Sequence, residues 1–145
     1  MSKLLDELNE RQREAVQATE GPVLVIAGAG SGKTKTLTHR IAYLVTERGI
    51  KPHQILAVTF TNKAADEMRN RAAKLLGARP NQWRAWKGFG TGPALGTFHA
   101  MCARILRQES GRLGFKREFA IYDTEEQKSA IKKVMYNDGI SPKDV

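Results

Sequence analysis

The spacing of apolar and polar positions changes period several times along this 145-residue chain, and each change marks an element. Asn9 to Ala18 alternates in the manner of a short amphipathic helix. Leu24, Val25 and Ile26 form an unbroken apolar run, predicting a strand over 23–27 that is buried on both faces. Leu37, Ile41, Leu44 and Val45 then recur at helical spacing, which predicts an amphipathic helix over 33–48. A second apolar run predicts a buried strand over 54–60. The helix expected over 62–76 buries Ala64, Ala65, Met68, Ala72 and Leu75 and shows Arg69, Arg71 and Lys74 on its other face. A short strand near 94–97 leads into a helix over 98–109, whose stripe is Phe98, Met101, Cys102, Ile105 and Leu106, with Arg104 and Arg107 facing away. A short strand over 119–122 and a helix over 124–137 follow. Strands alternating with helices, the first of them solid apolar runs, predict an α/β fold with a parallel sheet.

Between the first strand and its helix lies Gly28-Ala29-Gly30-Ser31-Gly32-Lys33-Thr34. Glycine costs backbone entropy, so three in five residues serve more than a turn. Such a loop can turn consecutive N–H groups inward as an anion nest, and the following helix adds its unpaired N–H groups and positive dipole end. Lys33 is placed to reach β/γ-phosphates and Thr34 to ligate Mg²⁺. The order strand, glycines, Gly-Lys-Thr, helix therefore predicts a triphosphate site. The general pattern opens with Gly where this chain has Ala27, a substitution a strand end tolerates when φ is negative.

Charge adds a partner to this picture. Of the formal net charge of +9, residues 51–118 contribute thirteen basic and four acidic side chains, while the flanking segments nearly balance. A localised excess of this kind suits a polyanion, although exposed helices also carry Lys and Arg for solubility. No run of about 18 apolar residues is present, so no membrane span is expected. The N-terminal stretch lacks the apolar core of a secretory signal. One cysteine, Cys102, on an apolar helical stripe, is expected to be a buried, inert thiol in a reducing compartment.

Three other stretches carry chemistry. "LNERQREAV" puts Asn9 at an N-cap with Gln12 three residues on, a capping box, while the Gln12 amide can also pair with the N6/N7 edge of adenine. "AVTFTNKAADEM" ends a strand in Phe60, Thr61 and Asn62, beside the phosphate loop if ligands gather beyond strand C-termini. Asn62 is either a plain N-cap or a phosphate contact, and Phe60 either core or a stacking platform. "GTFHAMCARILR" repeats the arrangement with Thr97, Phe98 and His99, a lone histidine with no ligand cluster around it. The segment 78–93, holding both tryptophans, reads as an exposed insertion whose aromatics either stack on nucleic acid or, the favoured account, pin the loop to the core.

In this order the four motifs "LNERQREAV", "AGAGSGKTKTL", "AVTFTNKAADEM" and "GTFHAMCARILR" closely resemble the N-terminal part of UvrD/Rep/PcrA-type superfamily 1 DNA helicases, over about residues 4–137. The resemblance implies a P-loop NTPase of RecA-like fold, a parallel sheet flanked by helices, incomplete here. Residues 1–110 would be the N-terminal part of the first motor domain and 111–145 the start of an inserted helical subdomain. It further implies an ATP-dependent DNA helicase, a cytoplasmic 3′–5′ translocase of the repair or replication type. Its partners would be single-stranded DNA and single/double-strand junctions, together with helicase domains missing from this chain. The family's phosphate loop accepts Ala at Ala27. By the same resemblance ATP is held by Gln12 and by Ala27, Gly28, Ala29, Gly30, Ser31, Gly32, Lys33, Thr34 and Lys35. Lys33 is the catalytic contribution and Thr34 the Mg²⁺ ligand, and the stretches Phe60–Asn62 and Thr97–His99 contact the strand. Lys35 stands where many relatives have an arginine packed on adenine, which keeps the charge and loses the planar stacking surface. The insertion at 79–93 is longer than usual for the family.

The acidic Asp-Glu motif and arginine fingers of the family have no counterpart here, so the chain alone is expected to bind nucleotide and hydrolyse it negligibly. Two other classes stay open from the residues themselves: a P-loop small-molecule kinase, and a non-catalytic nucleic-acid-binding module.

Overall fold

The computed structural model describes residues 3–78 and 92–141. The chain divides into two units, Met1–Cys102 and Ala103–Val145. The first opens with a single helical turn, α1 (Lys3–Asp6), and with α2 (Glu10–Gln17), followed by α3 (Lys33–Thr46), β1 (Leu56–Thr59), α4 (Asn62–Leu75) and β2 (Ala94–Thr97). Helix α5 (Phe98–Glu109) contains the division, and α6 (Thr124–Asn137) belongs to the second unit. No helix among the described residues is long and apolar enough to cross a membrane.

β1 and β2 are parallel, with Leu56 opposite Ala94 and Thr59 opposite Thr97. Parallel neighbours need a crossover, and α4 lies within it, packed on both strands. The core sits where α3 and α4 meet this pair. It consists of Ile41, Ile55, Ala57, Met68, Ala72 and Leu95, with Leu44 and Val45 against it. A second cluster of Leu5, Leu8 and Val16 covers the other side of α3 at Tyr43.

The helical spacing is realised within two residues at each end, and so are the strands at 56–59 and 94–97. Two expected strands are not. Residues 22–28 and 119–123 have no regular structure, because a strand exists only against a neighbour and β1 and β2 pair with each other alone. Val23, Leu24, Val25 and Ile26 are therefore 41%, 86%, 52% and 91% exposed, not buried on both faces. β1 is itself covered on one side, with Ala57 buried and Leu56 exposed.

Burial departs from the periodicity in three further places. On α5 only Met101 is buried. Phe98, Ile105 and Leu106 are about half exposed and Cys102 is exposed, so the thiol is not a core group. On α4 the inward face takes Ala73 in place of Leu75, and Arg69 turns inward: its guanidinium pairs with Asp66 and donates to the Leu95 carbonyl at 3.2 Å. That bond satisfies a carbonyl of β2 while the long side chain lies along apolar surface. The helix begins one residue earlier than an Asn62 cap would allow: Thr61 is the N-cap, its hydroxyl accepting from Ala64 N–H at 3.2 Å, and Asn62 is the first helical residue.

In the second unit, Asp123 and Glu126 form a reciprocal capping box at the start of α6, with bonds of 2.8 and 2.9 Å. The Arg107 guanidinium lies 5.3 Å from the Phe119 ring centroid. Ile121, Ile131 and Val134 remain exposed there. The segment 79–91, with both tryptophans, lies outside the described residues.

Candidate nucleotide and nucleic-acid sites

The phosphate loop is shaped by two left-handed glycines, Gly30 (φ 76°) and Gly32 (φ 84°). Gly32 is also the N-cap of α3, and it is doubly constrained. A Cβ there would sit 2.7 Å from the Gln12 amide nitrogen, so a side chain at this position would push the Gln12 amide out of its place. Ala27 lies outside the left-handed region, as does every other non-glycine described, and its methyl group is accommodated. Ser31 folds back on the loop, its hydroxyl donating to the Gly28 carbonyl at 2.7 Å.

The first helical hydrogen bond of α3 runs from Thr36 N–H to the Gly32 carbonyl at 2.9 Å, so the amides of Lys33, Thr34 and Lys35 precede the ladder. Lys33 reaches back along the loop and its ammonium donates to the carbonyls of Ala27 (3.0 Å) and Gly28 (2.9 Å). An ammonium has three donors, so one N–H remains beyond these two. The Thr34 carbonyl accepts from Thr38 at 2.9 Å, and its own hydroxyl has no hydrogen-bond partner among the described residues.

Gln12 makes the cap that the sequence offered as one of its two readings, and it also reaches the phosphate loop. Its Oε1 accepts from Asn9 N–H at 3.2 Å while Asn9 Oδ1 accepts from Gln12 N–H at 2.9 Å, completing the capping box. Its Nε2 donates to the Ser31 carbonyl at 2.9 Å. The amide is held at both ends and still keeps one N–H and one lone pair.

Gln12, Ala27, Gly28, Ser31 and Lys33 line one cavity of about 580 Å³. Sequence reasoning missed three of its walls: Thr36, Leu37 and Arg40. The signal was available, since these lie three, four and seven residues after Lys33 and so share its helix face. Arg40 also ties α3 to α2, donating to the Ala15 carbonyl at 2.6 Å. Val23, Val25 and Ile26, from the segment without a ladder, form an apolar wall. Among the described residues no carboxylate lines this cavity. Lys35 does not line it either, because its ammonium sits on the Glu7 carbonyl at 2.5 Å.

A second group of residues gathers at the C-terminal ends of the strands. Register puts Thr59 opposite Thr97, so the residues that follow, Phe60 and Phe98, emerge side by side. Their ring centroids are 5.3 Å apart at 39°. Phe60 is 85% exposed, which removes the core alternative for it. By spacing Phe98 belongs to the apolar stripe of its helix and by resemblance to the Thr97–His99 stretch, and the Thr-Phe repeated at the two strand ends is the signal for its place beside Phe60. His99 and Asn62 are exposed. Thr97 is buried, its hydroxyl accepting from Ala100 N–H at 3.2 Å as the cap of α5. Sheet register does not connect this edge to the phosphate loop, since residues 22–28 are outside the ladder.

The positive segment is partly neutralised from within. Arg69 pairs with Asp66, Arg71 with Glu67 and Arg112 with Glu109. Lys63 and Lys74 carry no ion-pair partner among the described residues.

Residues 8–144 match the family model of the UvrD/REP helicase N-terminal domain. The chain belongs to that family. It is 50% identical over 143 residues to the ATP-dependent DNA helicase PcrA of Staphylococcus aureus and 48% identical over the same length to that of Staphylococcus epidermidis. Each alignment covers 99% of this chain and 18% of the relative. As a UvrD/REP N-terminal domain, the chain thus spans about a fifth of the length of those helicases. Its α/β architecture, with a parallel strand pair and packed helices, agrees with a helicase motor domain.

Proposed function

We propose that this chain is the ATP-binding portion of the first, RecA-like motor domain of a DNA helicase. In this reading residues 1–110 form that portion and 111–145 open an inserted helical subdomain. The observation that carries it is the convergence of Lys33, the phosphate-loop residues Gly28 and Ser31 and the docked Gln12 amide on one cavity. A triphosphate there would meet the free amides at the start of α3 and the remaining Lys33 donor, both of which complement negative charge. Thr34, whose hydroxyl is uncommitted, would hold Mg²⁺, which neutralises the β- and γ-oxygens when bound. The spare donor and acceptor of Gln12 match the N6/N7 edge of adenine and not that of guanine. Lys35, whose ammonium is on the Glu7 carbonyl, would have to leave that contact to reach the nucleotide.

Single-stranded DNA would lie across the strand-end edge. Phe60, beside Phe98, offers an exposed ring face on which a base can stack, and Asn62 and His99 offer polar contacts to the backbone. Thr61 and Thr97 would act there through the helix caps they form. The S. aureus and S. epidermidis relatives are named ATP-dependent DNA helicases, and 3′–5′ translocation on single strands, action at strand junctions and a cytoplasmic setting are the assignments this membership favours.

Lys33→Ala tests the reading. Charge-assisted hydrogen bonds contribute about 1.5–3 kcal/mol each, so binding of Mg-ATP should weaken at least about tenfold while adenosine binding is unchanged. Titration calorimetry with both ligands decides it. An equal loss for both would remove Lys33 from the phosphates.

A further inference from the structure

Phe60 and Phe98 are carried by different elements. Phe60 follows β1 and precedes the Thr61 cap of α4, while Phe98 opens α5 directly after β2. The parallel ladder that aligns them is four residues long, and two paired strands alone are marginally stable. Arg69 supplies a second tie between the same elements. From α4 its guanidinium pairs through Nη1 with the Asp66 carboxylate, one turn earlier, and donates from Nη2 to the Leu95 carbonyl of β2 at 3.2 Å. The Arg69 side chain is only 18% exposed although it carries a full charge.

The Leu95 carbonyl is where such a donor is needed. Ala94 N–H donates to the Ile55 carbonyl at 2.8 Å, so Ala94 turns its peptide groups toward β1 and Leu95, one residue on, turns its own away. Leu95 is also a core residue, and a polar group left unpaired there is costly. The two ends of the Arg69 fork stand close to the two rings in sequence. Asp66 lies in the part of α4 that Phe60 and Thr61 lead into, and Leu95 comes three residues before Phe98. A planar fork holds a carboxylate and a carbonyl in one fixed geometry, which a lysine ammonium on a flexible stem does not reproduce. Without the fork, β2 is free to shift against α4 and Phe98 to move away from Phe60. Ring stacking depends on such offsets, whereas attraction to a phosphate backbone is long-ranged and tolerates them.

We propose that Arg69 is a positioning residue for the aromatic edge: it fixes β2 against α4, keeps Phe98 beside Phe60, and does not itself touch the strand. This rests on the reading of that edge as a single-strand surface.

The experiment uses the whole chain and two fluorescent oligomers of equal length and phosphate count, one of deoxythymidine and one abasic, with dissociation constants measured by anisotropy. The ratio of the two constants isolates base stacking, because lost charge or lost folded protein weakens both strands alike. Phe60→Ala is expected to lower the preference for the base-bearing strand at least about fivefold. Arg69→Met should lower it about threefold, and the double variant should be no worse than Phe60→Ala alone. Arg69→Lys, which keeps the charge, should lower it about twofold and serves if Arg69→Met does not fold. An unchanged ratio in the Arg69 variants, an equal weakening on both strands, or losses that multiply in the double variant would overturn the proposal and leave the Phe60 assignment standing. An unchanged ratio in Phe60→Ala would instead overturn the reading of the edge, and the role of Arg69 with it.

Discussion

The nucleotide cavity and the strand-end edge are built by opposite means. The cavity is closed by side chains bonding to backbone across short gaps: Gln12 on Ser31, Lys33 on Ala27 and Gly28, and Arg40 on Ala15. Its shape depends on two glycines and on the approach of α2 to α3, and hardly at all on the sheet. The edge depends on the sheet. Phe60 and Phe98 meet because register sets Thr59 against Thr97, and neither ring is fixed by a polar contact. A polar cradle held by many directional bonds is pre-organised for one ligand geometry. An exposed aromatic pair is tolerant, because every base has a ring face to offer. In the proposed reading the cavity recognises one nucleotide and the edge grips single strands of any sequence.

The largest test of that contrast concerns turnover. Among the described residues no carboxylate lines the cavity, and acids at the starts of two helices are committed elsewhere: Asp66 to Arg69, Glu67 to Arg71, and Asp123 and Glu126 to a capping box. A site without a carboxylate to fix Mg²⁺ and without the family's arginine fingers is expected to bind nucleotide and to hydrolyse it negligibly. An arginine finger alone is worth about 10³–10⁵ in rate. Steady-state phosphate release by the chain should stay at background with and without single-stranded DNA. DNA-stimulated release that Lys33→Ala abolishes would show that an acid within these residues completes the site.

A smaller effect separates the edge from the cavity. Phe60→Ala should cost single-strand binding about 1–3 kcal/mol, the usual worth of one stacked base, and leave nucleotide affinity alone. Fluorescence anisotropy with homopolymers of different base should show little sequence preference and a steep fall with salt. A preference for one sequence, or insensitivity to salt, would mean that the edge reads bases by hydrogen bonds.

The smallest effects distinguish caps from ligand contacts. Thr61→Ala removes the α4 cap and should lower stability by about 1 kcal/mol, while Asn62→Ala should change it by less than about 0.5 kcal/mol. Chemical denaturation measures both. The reverse order would return the cap to Asn62.

How much of this was legible depended on range. The capping boxes at Asn9 and Asp123, the helices and the glycine loop are local: each needs only residues three or four apart, and each stands where the spacing put it. Burial was another matter. Leu24 and Ile26 carry the pattern of a central strand, but pattern states only that a surface is fit to be covered. The exposed stripe of α5 and the exposed Cys102 have the same cause. Arg69 reads as a solvent-facing cation until β2 presents a carbonyl to it, and Lys35 as a nucleotide contact until the turn after α1 brings the Glu7 carbonyl within reach.

By itself, then, the sequence determined the chemistry available: a glycine loop ending in Lys33 and Thr34, an amide at Gln12, aromatic residues after two strands, and the motif order that places the chain among UvrD/REP helicase N-terminal domains. Those properties are encoded in residue type and short spacing, which backbone geometry converts directly into local structure. Only the tertiary structure decided which groups share a cavity, that Gln12 is both cap and cradle, that Phe60 stands beside Phe98, and that Lys35 meets the Glu7 carbonyl. Such contacts join residues tens of positions apart, and their existence depends on how helices and strands pack, which no local pattern specifies.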